Sequence, residues 1–144
     1  MKKIFSISVF LFTVVLGQTQ VNFKTIVPQQ PIVTGESFQV QYIIEDGDKT
    51  MNVKPPVFNN FRFVAGPNIY MGSVSTLNGV KPLKNAVYTL EATRPGKFII
   101  PGATLSVDGK LIRSNNALVQ IISKEEDVNN FNRENNINPS DYFL

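Results

Sequence analysis

Neither cysteine nor histidine occurs in the 144 residues of this chain. The first absence rules out a disulfide framework, a thiolate metal site and a lipidated cysteine. The second removes the usual general base near neutral pH and the commonest metal ligand, so an ordinary Ser-His-Asp arrangement cannot be built. No clustered run of Lys and Arg is present either, and nucleic-acid binding therefore lacks its electrostatic footprint. Charged residues make up only 17% of the chain, but the hydrophobic fraction of 42% is that of a chain with a core, not of a disordered one.

The apolar stretch at the N-terminus, residues 4–16, is thirteen residues long, short of the ~20 that span a bilayer. Lys2 and Lys3 precede it and Gly17 follows it, which is the pattern of a secretory signal peptide. The expected signal is residues 1–17, cut between Gly17 and Gln18. Two of the 14 basic residues leave with it, so the mature chain has 12 against 11 acidic ones, 12 minus 11 or +1. The alkaline character of the whole chain thus says little about its partners.

From residue 21 to residue 123 the hydrophobic pattern is that of β-strands. In "SFQVQYII", Phe38, Val40, Tyr42 and Ile44 alternate with Gln39 and Gln41, the period of a half-buried strand. "AVYTLEA" sets Ala86, Tyr88, Leu90 and Ala92 inward with Thr89 and Glu91 outward, and "VNFKTIV" repeats the pattern through Val21, Phe23 and Val27. Asp46-Gly47, Asn78-Gly79 and Asp108-Gly109 read as tight hairpin turns, and Arg94-Pro95-Gly96-Lys97 as a type II turn. Seven to nine short strands in about a hundred residues predict an all-β fold, an immunoglobulin-like antiparallel β-sandwich over residues 18–123. Such a domain buries about two-thirds of its unfolded surface and can hold together without cross-links.

Beyond Ser123 the composition turns polar. Six asparagines fall between Asn129 and Asn138, and residues 124–144 carry two basic and five acidic side chains. Ser123 with Glu126 resembles a capping box. Asparagine is a poor helix former, so the expectation for 124–144 is a polar linker with no more than one helical turn. Its end, "INPSDYFL", reads as the possible start of a second repeat, which would make the chain a fragment.

Candidate chemistry is thin. Glu45, Asp46 and Asp48 form one acidic cluster, but "EDGDK" lacks calcium-loop spacing and reads as a solvated hairpin tip. Glu36, Glu91 and Asp108 are unpaired in sequence, which leaves no carboxylate pair for glycoside hydrolysis. Phe58, Phe61 and Phe63 offer either an aromatic platform or core filling, and their spacing favours core. The glycines of "RPGKFIIPGATLSVDGKLIRSN" all adjoin strands, so no phosphate-cradling turn into a helix exists there. Phe98 and Ile100 are expected to face the core, and Pro101 to sit at an edge or kink. No catalytic, metal or cofactor-binding residue is assigned.

Gly35-Glu36-Phe38, Phe58, Phe61, Gly66-Pro67, Asn78-Gly79, Tyr88, Leu90 and the whole of "RPGKFIIPGATLSVDGKLIRSN" follow one another in an order and spacing that resembles the first extracellular domain of the BatD, or oxygen tolerance, family. The resemblance covers about residues 20–123. It implies an exported, periplasmic protein with several immunoglobulin-like repeats and a C-terminal membrane helix, acting as a non-enzymatic scaffold in oxygen or stress tolerance. Von Willebrand factor A-type and tetratricopeptide-repeat proteins are the partners it implies. The later repeats and the membrane helix are not in this sequence. A carbohydrate-binding or adhesive sandwich is the rival reading and would need an exposed row of aromatics, of which Tyr70 is the one clear candidate. A hydrolase fragment is disfavoured by the missing histidines and unpaired acids.

Overall fold

The alternation in "SFQVQYII" and "AVYTLEA" becomes two paired strands at the centre of a sheet. In a computed structural model that describes residues 21–48 and 50–135, Ser37–Glu45 runs antiparallel to Gly79–Ala92, with Phe38 opposite Leu90 and Val40 opposite Tyr88. The expected signal peptide with its Gly17/Gln18 cut, and residues 136–144, lie outside the described residues.

In chain order the elements are β1 (Asn22–Ile26), β2 (Ile32–Val33), β3 (Ser37–Glu45), β4 (Phe61–Thr76), β5 (Gly79–Ala92), β6 (Gly96–Ile100), β7 (Thr104–Val107), β8 (Lys110–Arg113), β9 (Ala117–Ile122) and α1 (Lys124–Glu134). One sheet has the order β1-β3-β5-β4, a second β2-β9-β6, and β7 and β8 form a small hairpin. The chain changes sheet between β1 and β2, and β2 then pairs parallel with β9. This is the antiparallel sandwich the sequence predicts.

The core lies between the inner faces of the two larger sheets. Phe38, Val40, Tyr42, Ala86, Tyr88, Leu90 and Ala92 meet Ile100, Val119 and Ile121 there. Each such fully buried aliphatic side chain contributes roughly 1.5–3 kcal/mol. Phe61 links Phe38 and Phe98 by edge-to-face contacts at 5.3 and 5.6 Å, a geometry favoured by the ring quadrupole. Tyr42, fully buried, keeps its hydroxyl satisfied by donating to the carbonyl of Pro101 at 3.0 Å. Burial raises the phenol pKa of both Tyr42 and Tyr88.

Pro101-Gly102 is the predicted break. β6 ends at Ile100, and the chain turns out of its sheet into β7. Two features fix this corner. The Gly102 N–H donates to Asn116 Oδ1 at 2.9 Å, and a Cβ on Gly102 would run into the carbonyl of Ser114. The Asp108-Gly109 turn is realised as read: both residues take positive φ, 49° and 76°, between paired Val107 and Lys110, the signature of a type I′ hairpin. At the β4–β5 turn Leu77 and Asn78 occupy the loop, and Gly79, at φ 109°, closes it.

Two expectations are corrected. Asp46-Gly47 is not a hairpin, because β3 pairs with β1 and β5 instead of with the strand that follows it. Finally, residues 124–134 form a helix of 11 residues, not a linker with one turn. The Ser123 side chain accepts from the Glu126 N–H, Glu125, Glu126 and Asp127 sit in the first turn, and Arg133 in the last. Capping and the helix dipole thus offset the poor propensity of asparagine.

Candidate functional site

The acidic side chains singled out by sequence are held apart or neutralised. Glu45, at the end of β3, accepts from Lys24 of β1 and from Asn22 Nδ2, and the Lys24 hydrogen bond holds its carboxyl below the usual range. Asp46 pairs with Lys81 at 2.8 Å. Asp48 turns back to the N–H of Thr50 at 2.9 Å, which lowers its pKa. Glu91 is bound by Arg62 from the neighbouring strand, and Asp108 lies in the β7–β8 turn. Among the described residues, no three acids gather where a metal ion could be held. An open groove between the β1–β2 connection and β3 is lined by Ile26, Pro28, Pro31 and Phe38 and has Glu36 as its one ionisable lining residue. A single carboxyl has no partner there for acid–base work.

The aromatic cluster divides. Phe58 and Phe61 pack against the core as expected, but Phe63 is 52% exposed. Phe61 and Phe63 stand opposite the core residues Ala92 and Leu90 and so share a face, and the split lies in their burial and not in the register. β4 follows β5 regularly from Phe61 to Phe63 and then shifts twice, between Phe63 and Ala65 and between Ala65 and Asn68. Each shift is a bulge that re-aims the side chains after it. Tyr70 is 59% exposed, as the sequence suggests. It stands opposite Asn85, whereas Phe63 stands opposite the core residue Leu90. Side chains directly opposite each other share a face, so Phe63 and Tyr70 lie on opposite faces and do not form an aromatic row.

The most distinctive surface is the outer edge of β4. This strand closes one side of its sheet and has no neighbour beyond it among the described residues. After the bulges, residues 68–76 pair with β5 without interruption down to the turn at Leu77. β3 reaches along β5 only as far as Leu83, so the tip of the β4–β5 hairpin projects past the third strand. No charged residue occurs from residue 63 to residue 80; Arg62 and Lys81 flank the run. Ile69, Tyr70, Met71, Leu77 and Val80 are exposed along it.

Edge strands usually blunt their unpaired backbone groups with lysine, proline, bulges or short length. β4 uses bulges and Pro67 in its first half and none of these devices in its second. Sequence periodicity could not find this surface, since alternation assigns residues to faces and not strands to edges. The one available signal was the length of the uncharged run.

The family comparison agrees with this architecture. Residues 25–121 match the model of the BatD DUF11 like domain, a span from within β1 to within β9. A comparison with curated proteins finds no match. The match takes in both sheets, the β7–β8 hairpin and the β4 edge, and the chain accordingly belongs to the BatD family.

Proposed function

We propose that the chain is a non-enzymatic, exported interaction domain, contributing to oxygen or stress tolerance as part of a membrane-associated complex. Its docking surface is the β4 edge. The observation that carries this reading is the uncharged, regular run at residues 68–76, which leaves main-chain groups free on one side and exposes Ile69, Tyr70 and Met71. An extended partner segment can add to such an edge, with the backbone giving affinity and alternate side chains giving specificity. Von Willebrand factor A-type and tetratricopeptide-repeat proteins, the partners implied by family resemblance, are the other members expected in the complex.

A non-enzymatic role fits the pairing of Glu45, Asp46 and Glu91 with cations and the absence of histidine and cysteine from the sequence. The test is photo-crosslinking in cells from a probe at Met71, with a control probe at Leu111 on β8. Adducts from Met71, with a second copy of the chain or with another envelope protein, and none from Leu111 are expected. Equal labelling from both positions, or none from Met71 combined with glycan binding by the purified chain, would sink the proposal.

A further inference from the structure

Gly72 lies at the midpoint of the regular, uncharged half of β4, and nothing inside the chain requires a glycine there. Its φ is not positive, unlike those of Gly35, Gly66, Gly79, Gly96 and Gly109. A Cβ built on it meets no atom within 4 Å. An exposed interior strand position with neither need still loses the side chain that would stiffen it. Glycine at such a place marks close approach by another backbone.

We infer that a second copy of this chain makes that approach, pairing its own β4 antiparallel across a twofold axis at Gly72. A twofold interface brings the same patch from both subunits together. With Gly72 on the axis, Tyr70 of one copy lies opposite Val74 of the other, Ile69 opposite Ser75, and Met71 opposite Ser73. Aromatic against β-branched is a favourable cross-strand pair, and the ring of Tyr70 covers the bare Gly72 position. The uncharged run from 63 to 80 makes self-pairing permissible, because in a twofold pair any charge near the axis faces its own image. The nine residues 68–76 give a paired length of about 30 Å. The two four-stranded sheets then become one continuous sheet of β1-β3-β5-β4 and its mirror order. The inference rests on the β4 edge being the docking surface and names its occupant.

The natural absence of cysteine makes the test clean. Single-cysteine variants of the full chain are oxidised at equilibrium, with L111C on β8 as control. G72C is expected to form a disulfide dimer, since directly opposed strand positions lie within the Cα separation a disulfide needs. Y70C and V74C are expected to cross-link when mixed and much less when alone. In sedimentation, the wild type is expected to be dimeric and G72K to associate at least ~100-fold more weakly, with an unchanged circular dichroism spectrum. A wild type that stays monomeric at its solubility limit overturns the inference, as does dimerisation that G72K leaves intact. A monomer that still cross-links to another protein from Met71 overturns self-pairing while leaving the proposed function standing.

Discussion

The hydroxyls of Thr25 and Ser114 meet at 2.7 Å inside the fold, and these are the two buried polar side chains among the described residues. Around them, three consecutive residues tie separate parts of the chain together. Ser114 Oγ accepts the Ala103 N–H at 2.9 Å. Asn115 Oδ1 accepts the Thr25 N–H at 2.9 Å and its Nδ2 donates to the Thr25 carbonyl. Asn116 Oδ1 takes the Gly102 N–H. β1 is thereby fastened to the corner where the chain turns from β6 into β7.

The first prediction concerns this latch. S114A strands the Ala103 N–H and the Thr25 hydroxyl in the interior, and an unsatisfied buried group costs about 1–3 kcal/mol. T25V should cost less, because Ser114 keeps its bond from Ala103. Urea unfolding of both single variants and the double variant should show S114A as the more damaging, with a coupling energy between the sites. Additive effects would mean the two hydroxyls act independently.

Two glycines should respond in opposite directions. G102A drives a methyl group into the Ser114 carbonyl, and forced overpacking of this kind costs ~1–3 kcal/mol or more. G72A meets nothing, and alanine in a strand is more stable than glycine by roughly 0.5–1 kcal/mol. Thermal melts of dilute protein should therefore rank G72A above wild type and G102A well below it.

Alkaline pH should unfold the domain. The folded state holds the phenol protons of Tyr42 and Tyr88 more tightly than the unfolded chain does. The stability this linkage contributes is complete below the unfolded pKa of about 10 and is lost as pH rises above it. Y42F removes the bond to the Pro101 carbonyl and should cost about 1 kcal/mol at neutral pH. It should also make the decline above pH ~10 shallower. An unfolding profile as steep in Y42F as in wild type would contradict the assignment.

The helix α1 should be separable from the domain. Its apolar residues Val128 and Phe131 are exposed, so its stability rests on local terms such as the Ser123 cap. S123A should weaken the helix by about 0.5–2 kcal/mol, visible as faster amide exchange over residues 124–134, while the midpoint of sandwich unfolding stays put. A shift in that midpoint would show that α1 packs into the domain after all.

Much of this architecture was legible because both faces of β3 and β5 differ sharply in polarity. Phe38, Val40, Tyr42 and Ile44, like Ala86, Tyr88, Leu90 and Ala92, are all buried as the alternation required. The Asp108-Gly109 turn was legible because neighbouring strands and local dihedrals agree there. Asp46-Gly47 was misleading for the opposite reason: Asp46 does take positive φ, at 61°, but the strand after it joins the sheet two places away. Residues 64–76 hide their strand character behind Gly66-Pro67, and α1 hides behind asparagines that capping outweighs. The β4 edge could not be read from periodicity, since being an edge depends on what fails to pair beyond it.

The short parallel pairing of β2 with β9 has a mechanical meaning. Ile32 lies beside Ile121 and Val33 beside Ile122, and just beyond them Thr34 binds the Ile122 carbonyl through both its N–H and its hydroxyl, at 2.9 and 3.0 Å. Because the two strands point the same way, tension entering β2 from the N-terminal side and leaving β9 toward α1 slides one past the other. These bonds then bear the load together in shear, where an antiparallel pair at the chain ends would open one bond at a time. The two-residue strand thus acts as the catch that keeps the sandwich closed under a pull along its chain.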